Sequence, residues 1–316
     1  MNRALPLALV LLTGCEATLP PAPAHARVAP APRPPPMQVC WLEYAINEVP
    51  GGFSLAGPSE RKRWVVTMSG LLVRHPKGHL LIDVGNSSHF AEEIADSSFI
   101  NRQYLMAGPG SGHVVRTAPE ALKAVGEDPS QLKAVVVSHL HGDHAGGLVD
   151  LPGVPVLLPQ EELDFAAKLR ESKTFAVVRA HAAALDGRAT PLAFAEEPYE
   201  NFDRSADYFG DGSVVFVRLF GHTPGSVGTF VNRSPGERLL HLGDAINSTE
   251  ALSKRVGKSF ALSWTDNDPD RAEALVAKLS QLHEQDPALS MLPAHDRQAW
   301  EALFPGGPGT CVGTAP

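Results

Sequence analysis

Apolar residues recur along the chain with two spacings, one typical of strands and one typical of helices. Short apolar or alternating runs bounded by turn residues predict strands, and apolar residues three and four apart predict amphipathic helices. The predicted strands are Gln38–Ile46, Trp64–Arg74, His79–Val84, Leu132–Ser138, Val154–Leu158, Ser213–Leu219, Ser226–Asn232, Arg238–Leu242 and Leu289–Leu292. The predicted helices are Pro119–Val125, Pro159–Glu171, Pro269–His283 and Arg297–Leu303. The mixture of strands and helices, repeated in two similar halves of the chain, predicts an α/β protein with two sheets packed face to face and helices outside.

The N-terminus does not follow this pattern. One basic residue, Arg3, precedes a short apolar run from Ala4 to Leu12, which is the layout of an export signal and too short for a transmembrane helix. The following Thr-Gly-Cys is similar to the bacterial lipoprotein box and predicts lipidation of Cys15, with cleavage after Ala26 as the alternative. Residues 16–36 contain eight Pro and six Ala and are expected to form a disordered tether. Residues 37–316 are then a single folded domain.

Composition narrows the range of partners. The chain has 316 residues and a formal net charge of −8, without the concentrated basic segment that a nucleic-acid partner requires. Its three cysteines are too few for a disulfide scaffold and form no CxxC pair. A polar, Gly-rich stretch over residues 86–116 is expected to be a lid facing a small-molecule substrate, or a plain surface excursion. His113 lies in it.

The strongest chemical signal is the segment 138–144, which reads Ser-His-Leu-His-Gly-Asp-His at the end of a predicted buried strand. Alternate residues leaving a strand point the same way, so His139 and His141 can reach one metal ion. The turn that follows brings Asp143 and His144 toward a neighbouring position. Four ligand-type side chains at this spacing predict a metal site rather than packing.

This segment resembles the central motif of the metallo-β-lactamase fold superfamily at every ligand position. Further segments match the family in order along the chain: 81–85 (Leu-Ile-Asp-Val-Gly), 221–226 (Gly-His-Thr-Pro-Gly-Ser), 242–245 (Leu-Gly-Asp-Ala) and 293–296 (Pro-Ala-His-Asp). The resemblance implies a four-layer αββα sandwich of two mixed sheets with helices on the outer faces.

The resemblance also implies a two-metal centre. The implied ligands are His139, His141 and His222 for the first metal, Asp143, His144 and His295 for the second, and Asp244 as a bridge. Imidazole and carboxylate ligands suit two Zn²⁺ ions, with Mn, Fe or Co as alternatives. Two adjacent cations would acidify a bridging water to hydroxide, which attacks a carbonyl or phosphoryl centre. Asp143 is the candidate for carrying the proton to the leaving group, and Asp83 is expected to orient a ligand histidine or to cap a turn.

Within the superfamily, residues 138–147 are most similar to the acyl-homoserine lactonase-like branch. The bridging carboxylate disfavours the classical β-lactamases, and the intact His141 disfavours the diiron branch. Those lactonases carry a Tyr three residues after the bridging Asp, where this chain has Asn247 as a candidate substrate contact. Tyr104 is the best-placed replacement for that Tyr.

The expected function is therefore a hydrolase of lactones or carboxylic esters, lipid-anchored on the periplasmic or outer face of the bacterial cell envelope. An exported phosphotriesterase-like hydrolase and a metal-binding lipoprotein without turnover are the alternatives. Cys40 and Cys311 are candidates for a disulfide in that oxidising compartment. The remaining histidines are expected on the surface or in packing positions: His25, His75, His79, His89, His113, His181, His241 and His283.

Overall fold

A computed structural model describes residues 18–23, 34–96, 98–99, 102–103, 106, 113–171, 179–234 and 236–316. The strands are β1 (Gln38–Pro50), β2 (Arg63–Arg74), β3 (His79–Ile82), β4 (His113–Val114), β5 (Leu132–Val136), β6 (Val156–Leu158), β7 (Ala189–Pro191), β8 (Ser205–Asp207), β9 (Val214–Arg218), β10 (Val227–Ser234), β11 (Glu237–His241), β12 (Ser290–Leu292) and β13 (Cys311–Gly313). The α-helices are α1 (Phe90–Glu93), α2 (Ala118–Ala124), α3 (Gly142–Ala145), α4 (Gln160–Glu171), α5 (Arg179–Ala183), α6 (Glu250–Lys254), α7 (Phe260–Ser263), α8 (Pro269–Gln285) and α9 (Arg297–Leu303).

The strands form two mixed sheets. In the first sheet the order is β13-β1-β2-β3-β5-β6-β7, with β4 paired to β1. Its β13-to-β3 portion is antiparallel, and its β3-to-β7 portion is parallel. In the second sheet the order is β12-β11-β10-β9-β8, where only the β11–β12 pair among the described strands is parallel.

The two sheets pack face to face through apolar side chains that alternate along each strand. Leu71 and Val73 on β2 contact the second sheet in a cluster that includes Phe216 and Val231, whereas Leu72 belongs to the cluster under the outer helices. Such strands are buried on both faces and read as nearly continuous apolar runs. The predicted sandwich of two mixed sheets is confirmed.

Helices cover both outer faces. Apolar residues of α2 and α4 pack on the first sheet, and the apolar stripe of α8 packs on the second. The α8 helix begins where the sequence predicts, because the Asp268 side chain accepts a hydrogen bond from the Arg271 N–H and Pro269 occupies the first turn.

Several short elements are not apparent from the sequence pattern. The strand β13 is only three residues long, yet it pairs with β1 so that Cys311 lies directly opposite Cys40. These two cysteines, which the sequence left only as candidates for a disulfide, form one.

Cys15 and the rest of the predicted signal, residues 1–15, lie outside the described residues, so lipidation stays a prediction. Within the predicted tether, the Leu19 N–H donates to the Arg255 carbonyl at 2.8 Å, and its side chain packs against the α6–α8 side of the second sheet. This short part of the predicted tether is therefore in contact with the domain. Among the helices that the structure describes, none has the length and apolar character needed to cross a membrane.

Candidate metal centre

Seven side chains of the ligand types predicted from the sequence converge in two adjacent groups at one end of the sandwich. The first group is His139, His141, His222 and Asp244, and the second is Asp143, His144 and His295. Most of them lie on loops after the carboxyl ends of strands, namely after β5, β11 and β12. His222 lies in the turn between β9 and β10. The structure thus brings together all seven predicted ligands.

The backbone allows the loops that carry His139 and Asp244 to approach each other closely. Gly243, just before Asp244, has a positive φ of 50°, and a Cβ there would lie 2.8 Å from the Ser138 hydroxyl oxygen. A side chain at Gly243 would therefore push apart the loops that carry His139 and Asp244.

Asp244 lies between the two groups and directs one carboxylate oxygen to each. Its Oδ2 is 3.5 Å from Nε2 of His222 and 3.9 Å from Nε2 of His139. Its Oδ1 is 3.2 Å from Nε2 of both His144 and His295. This is the geometry expected of a carboxylate shared by two metal ions.

The remaining distances show how tightly each group converges. In the first group, Nε2 of His222 lies 2.9 Å from Nδ1 of His141. In the second, Nε2 of His295 lies 3.3 Å from Oδ2 of Asp143 and 3.4 Å from Nε2 of His144. Ring nitrogens facing one another in this way suit a shared cation.

The donor set fits two divalent metals. Five imidazoles and two carboxylates are ligands that zinc accepts. Nε2 of His139 is buried and has no hydrogen-bond partner among the described residues. A buried polar atom without a partner is costly, and a cation at this position would satisfy it.

In the metal-free centre, the pKa values of the ligand histidines are shifted in opposite directions in the two groups. Burial and the neighbouring imidazoles lower the pKa of His139 well below its usual value and that of His141 to about 3. Burial also disfavours the charged form of His295, but Asp244 and Asp143 outweigh it and raise its pKa to about 10. The same carboxylates, with Asp83, raise the pKa of His144 well above its usual value against the effect of burial. Without metal, the second group therefore holds protons in the place of a cation.

Asp83 supports the second group. Its Oδ2 lies 2.8 Å from Nδ1 of His144, and its Oδ1 accepts the Ser138 N–H at 2.6 Å. The residue has a left-handed backbone (φ 57°), which is costly outside glycine, and the Tyr44 hydroxyl donates to its carbonyl at 2.9 Å. Asp83 thus contacts a ligand histidine, the position in which it would orient that ring.

Two further ligand histidines, His222 and His295, also have outer partners. Nδ1 of His222 lies 2.7 Å from Oδ1 of Asp266 and 2.9 Å from Nζ of Lys258, and Lys258 and Asp266 form a buried ion pair. Nδ1 of His295 lies 2.9 Å from the Thr67 carbonyl oxygen. Such contacts fix the orientation of metal-binding rings.

Glu162 was missed by sequence reasoning. Its buried carboxylate accepts the Leu140 N–H at 2.8 Å, the Thr223 hydroxyl at 2.8 Å and the Gly225 N–H at 2.9 Å. Leu140 lies between two ligand histidines and Thr223 follows a third, so Glu162 ties together the two loops that carry the three histidines of the first group. Its location in the first turn of α4 gave no signal in the sequence, because the contact is long-range.

Two histidines assigned to surface or packing positions also adjoin the centre. His241 is buried with Nε2 3.7 Å from Oδ2 of Asp83, and neither ring nitrogen has a hydrogen-bond partner among the described residues. His181 is buried, lies 2.8 Å from Oε2 of Glu93, and packs against Gly142 of the central motif.

The predicted substrate contacts are placed only in part. Asn247 is buried three residues after Asp244. Tyr104 lies outside the described residues, and of His113 only the backbone, on β4, is described.

Comparisons with known proteins agree with this geometry. The family model described as Metallo-beta-lactamase superfamily matches residues 64–295. The chain is 27% identical to the N-acyl homoserine lactonase AttM of Azorhizobium caulinodans, over 75% of this chain and 84% of that protein. It is 26% identical to AttM of Agrobacterium fabrum, over 72% and 81% of the two chains.

Solved structures share the fold. An N-acyl homoserine lactone hydrolase with the product N-hexanoyl-L-homoserine at its catalytic metal centre superposes with a TM-score of 0.58 at 16% identity, covering 84% of this chain and 95% of that one. AidC, a dizinc quorum-quenching lactonase, superposes with a TM-score of 0.56 at 18% identity, covering 85% and 90%. Because the family model covers most of the chain, including all seven candidate ligands, the chain belongs to the metallo-β-lactamase superfamily.

Proposed function

We propose that the chain is a dinuclear-metal hydrolase that cleaves lactones or carboxylic esters. The position of Asp244, with one oxygen toward each ligand group, carries this proposal, because a shared carboxylate implies two metals side by side. The AttM relatives, which are named N-acyl homoserine lactonases, support a lactone as the substrate class. The imidazole and carboxylate donors support zinc, with Mn, Fe or Co as the other metals that such ligands accept.

Bound metals would supply an acidified water as the nucleophile and would polarise the carbonyl oxygen of the substrate. The chain's own residues would complete the reaction. Oδ2 of Asp143 is directed to His295, which leaves Oδ1 to carry a proton to the leaving oxygen. Asn247 would donate a hydrogen bond from its amide to the substrate, at the position where the lactonase branch carries a Tyr.

The proposal is tested with the metal-loaded chain on a panel of lactones, carboxylic esters and a phosphotriester. Ring opening or ester cleavage faster than phosphotriester cleavage is expected, and Asp143→Asn should abolish it. The exposed Asp270→Asn, which changes an aspartate outside the ligand set, is the matched control. Turnover of the phosphotriester alone, or of no substrate in a chain that retains its metals, would refute the proposal.

We also propose that Cys15 is lipidated and holds the protein at the bacterial cell envelope. The support is the short apolar run and the lipoprotein-like box of the sequence. Expression in a bacterial host should give a product that partitions into detergent and has a mass increased by the lipid. Cys15→Ser should remove both properties, and an unmodified mass for the parent chain would contradict the proposal.

A further inference from the structure

Two strongly exposed aromatic side chains lie at the two ends of the short helix α7. Phe260 is its first residue, and Trp264 directly follows its last residue. Phe260 is 74% exposed and Trp264 is 71% exposed. Their ring centroids lie 5.5 Å apart in an edge-to-face arrangement, so the two rings form one continuous apolar surface. Contiguous exposed apolar surface of this kind marks an interaction site.

The pair lies at the rim of the metal centre. The residues that flank α7, Lys258 and Asp266, both contact the His222 ring. On the inner side of α7, the buried Leu262 belongs to the same cluster as Trp64, whose indole N–H donates to the His295 carbonyl at 3.0 Å. The helix is therefore attached to ligand loops of both groups and presents its aromatic side chains outward.

The charged residues beside the pair are matched by residues of opposite sign. Lys254 lies 2.9 Å from Glu250, Arg255 lies 4.0 Å from Glu284, and Lys258 forms its buried ion pair with Asp266. The two exposed rings, and not a concentration of charge, therefore distinguish this surface.

The N-terminal segment approaches the same region. The Leu19 N–H donates to the Arg255 carbonyl at 2.8 Å, five residues before Phe260. Cys15, the predicted lipid site, precedes Leu19 by four residues and can lie at most about 14 Å from it. A lipid on Cys15 would therefore hold this side of the molecule close to a bilayer.

We propose that Phe260 and Trp264 seat the protein on a lipid bilayer, with the rim of the metal centre facing the membrane. Aromatic side chains partition to the membrane interface, and the N-terminal segment that contacts Arg255 leads from this surface toward the proposed lipid site. The inference rests on the proposed lipid anchor at Cys15, because that anchor would bring this side of the molecule to the membrane. Its test needs neither lipidation nor catalysis.

Tryptophan fluorescence of the full chain carrying Cys15→Ser tests the proposal. The other tryptophans, Trp41, Trp64 and Trp300, are at most 1% exposed, so quenching by soluble or lipid-borne quenchers reports on Trp264. In buffer, acrylamide should quench Trp264. On vesicles of phosphatidylglycerol and phosphatidylethanolamine that contain brominated acyl chains, the lipid should quench it instead, and acrylamide should lose access.

Phe260→Ser keeps Trp264 as the fluorescent reporter and removes one of the two exposed aromatic rings. It should require about tenfold more lipid for half-maximal quenching, because one of two interfacial aromatic rings is lost. Phe99→Ser removes an equally exposed ring, at 72%, on another segment and should leave the lipid dependence unchanged. Unchanged melting temperatures of both variants verify that the fold is intact.

Three results would overturn the proposal. The chain could sediment with the vesicles without quenching of Trp264, in which case the apolar N-terminal run binds lipid alone. Trp264 could already be protected from acrylamide in buffer, which means that another part of the chain or a second copy covers it. Phe260→Ser and Phe99→Ser could also shift the lipid dependence equally, which shows nonspecific adsorption.

Discussion

Oδ2 of Asp83 lies 2.8 Å from Nδ1 of His144, while Nε2 of the same ring lies 3.2 Å from Oδ1 of Asp244. The imidazole is therefore held from behind by one carboxylate and faces the candidate metal position with its other nitrogen. A carboxylate behind a ligand histidine fixes its tautomer and raises its basicity.

Asp83→Asn should weaken zinc binding about 10- to 100-fold, because the amide carries no charge and can present the wrong end to His144. Competition with a chromophoric zinc chelator measures the affinity. Asp270→Asn, an exposed aspartate, should bind zinc like the parent chain. Equal affinities of Asp83→Asn and the parent would show that Asp83 only shapes the strand end.

Glu162→Gln should destabilise the fold by about 2 kcal/mol or more, because an amide nitrogen would face the donors of Thr223 and Gly225. Burial raises the pKa of Glu162, and the hydrogen bonds from Thr223, Leu140 and Gly225 partly offset this effect. Urea unfolding of the metal-free chain measures the change. The neighbouring Glu161→Gln removes only a surface pair with Arg218 and should cost less than about 0.5 kcal/mol. Equal effects of the two substitutions would argue against a special role for Glu162.

Metal binding should release protons. Since the pKa of His295 is raised to about 10, its ring is protonated in the metal-free chain at pH 8, and the raised pKa of His144 also favours the protonated form of that ring. Zinc requires neutral imidazole, so its apparent affinity should rise as the pH rises toward 10. Calorimetric titrations with zinc in buffers of different ionisation enthalpy measure the released protons, and a heat that does not depend on the buffer would contradict the prediction.

The same raised pKa values predict the pH dependence of the metal-free fold. A group whose pKa is higher in the folded than in the unfolded chain stabilises the fold below its unfolded pKa, about 6.5 for histidine. This stabilisation should be lost as the pH rises from about 6.5 through the folded value of about 10 for His295. Denaturation of the chelator-treated chain at several pH values checks the direction.

The disulfide between Cys40 and Cys311 joins β13, an edge strand of the first sheet, to its neighbour β1 across 271 residues of sequence. Replacing both cysteines by alanine should lower the free energy of unfolding by about 2–4 kcal/mol. A reducing agent should lower the melting temperature of the parent toward that of the double variant and leave the double variant unchanged. A parent chain that is insensitive to the reducing agent would contradict this bond.

The ligands could be predicted from the sequence because their spacing is local. His139, His141, Asp143 and His144 lie within one short segment after a buried strand, and the other ligands lie in short segments that resemble those of one family. The main strands and the longer helices could also be predicted, because each shows its own regular spacing of apolar residues.

The residues around the ligands could not be predicted in this way. Glu162 has the sequence context of an ordinary first-turn glutamate, and Lys258 has that of a surface lysine in a basic stretch. Their roles depend on contacts across about 60 and 36 residues, with Thr223 and His222 respectively. The strand β13 was missed because it is three residues long and is defined by its pairing with β1.

We propose that two metals held by these seven residues support the hydrolysis of a lactone. The most direct measurement combines metal analysis with ring opening of an N-acyl homoserine lactone, on the same sample, before chelation, after chelation and after zinc is restored. We predict two zinc ions per chain, loss of ring opening with the metal, and recovery of both together. Ring opening that persists in the chelated, metal-free chain, or its absence in a chain that holds two zinc ions, would contradict the account.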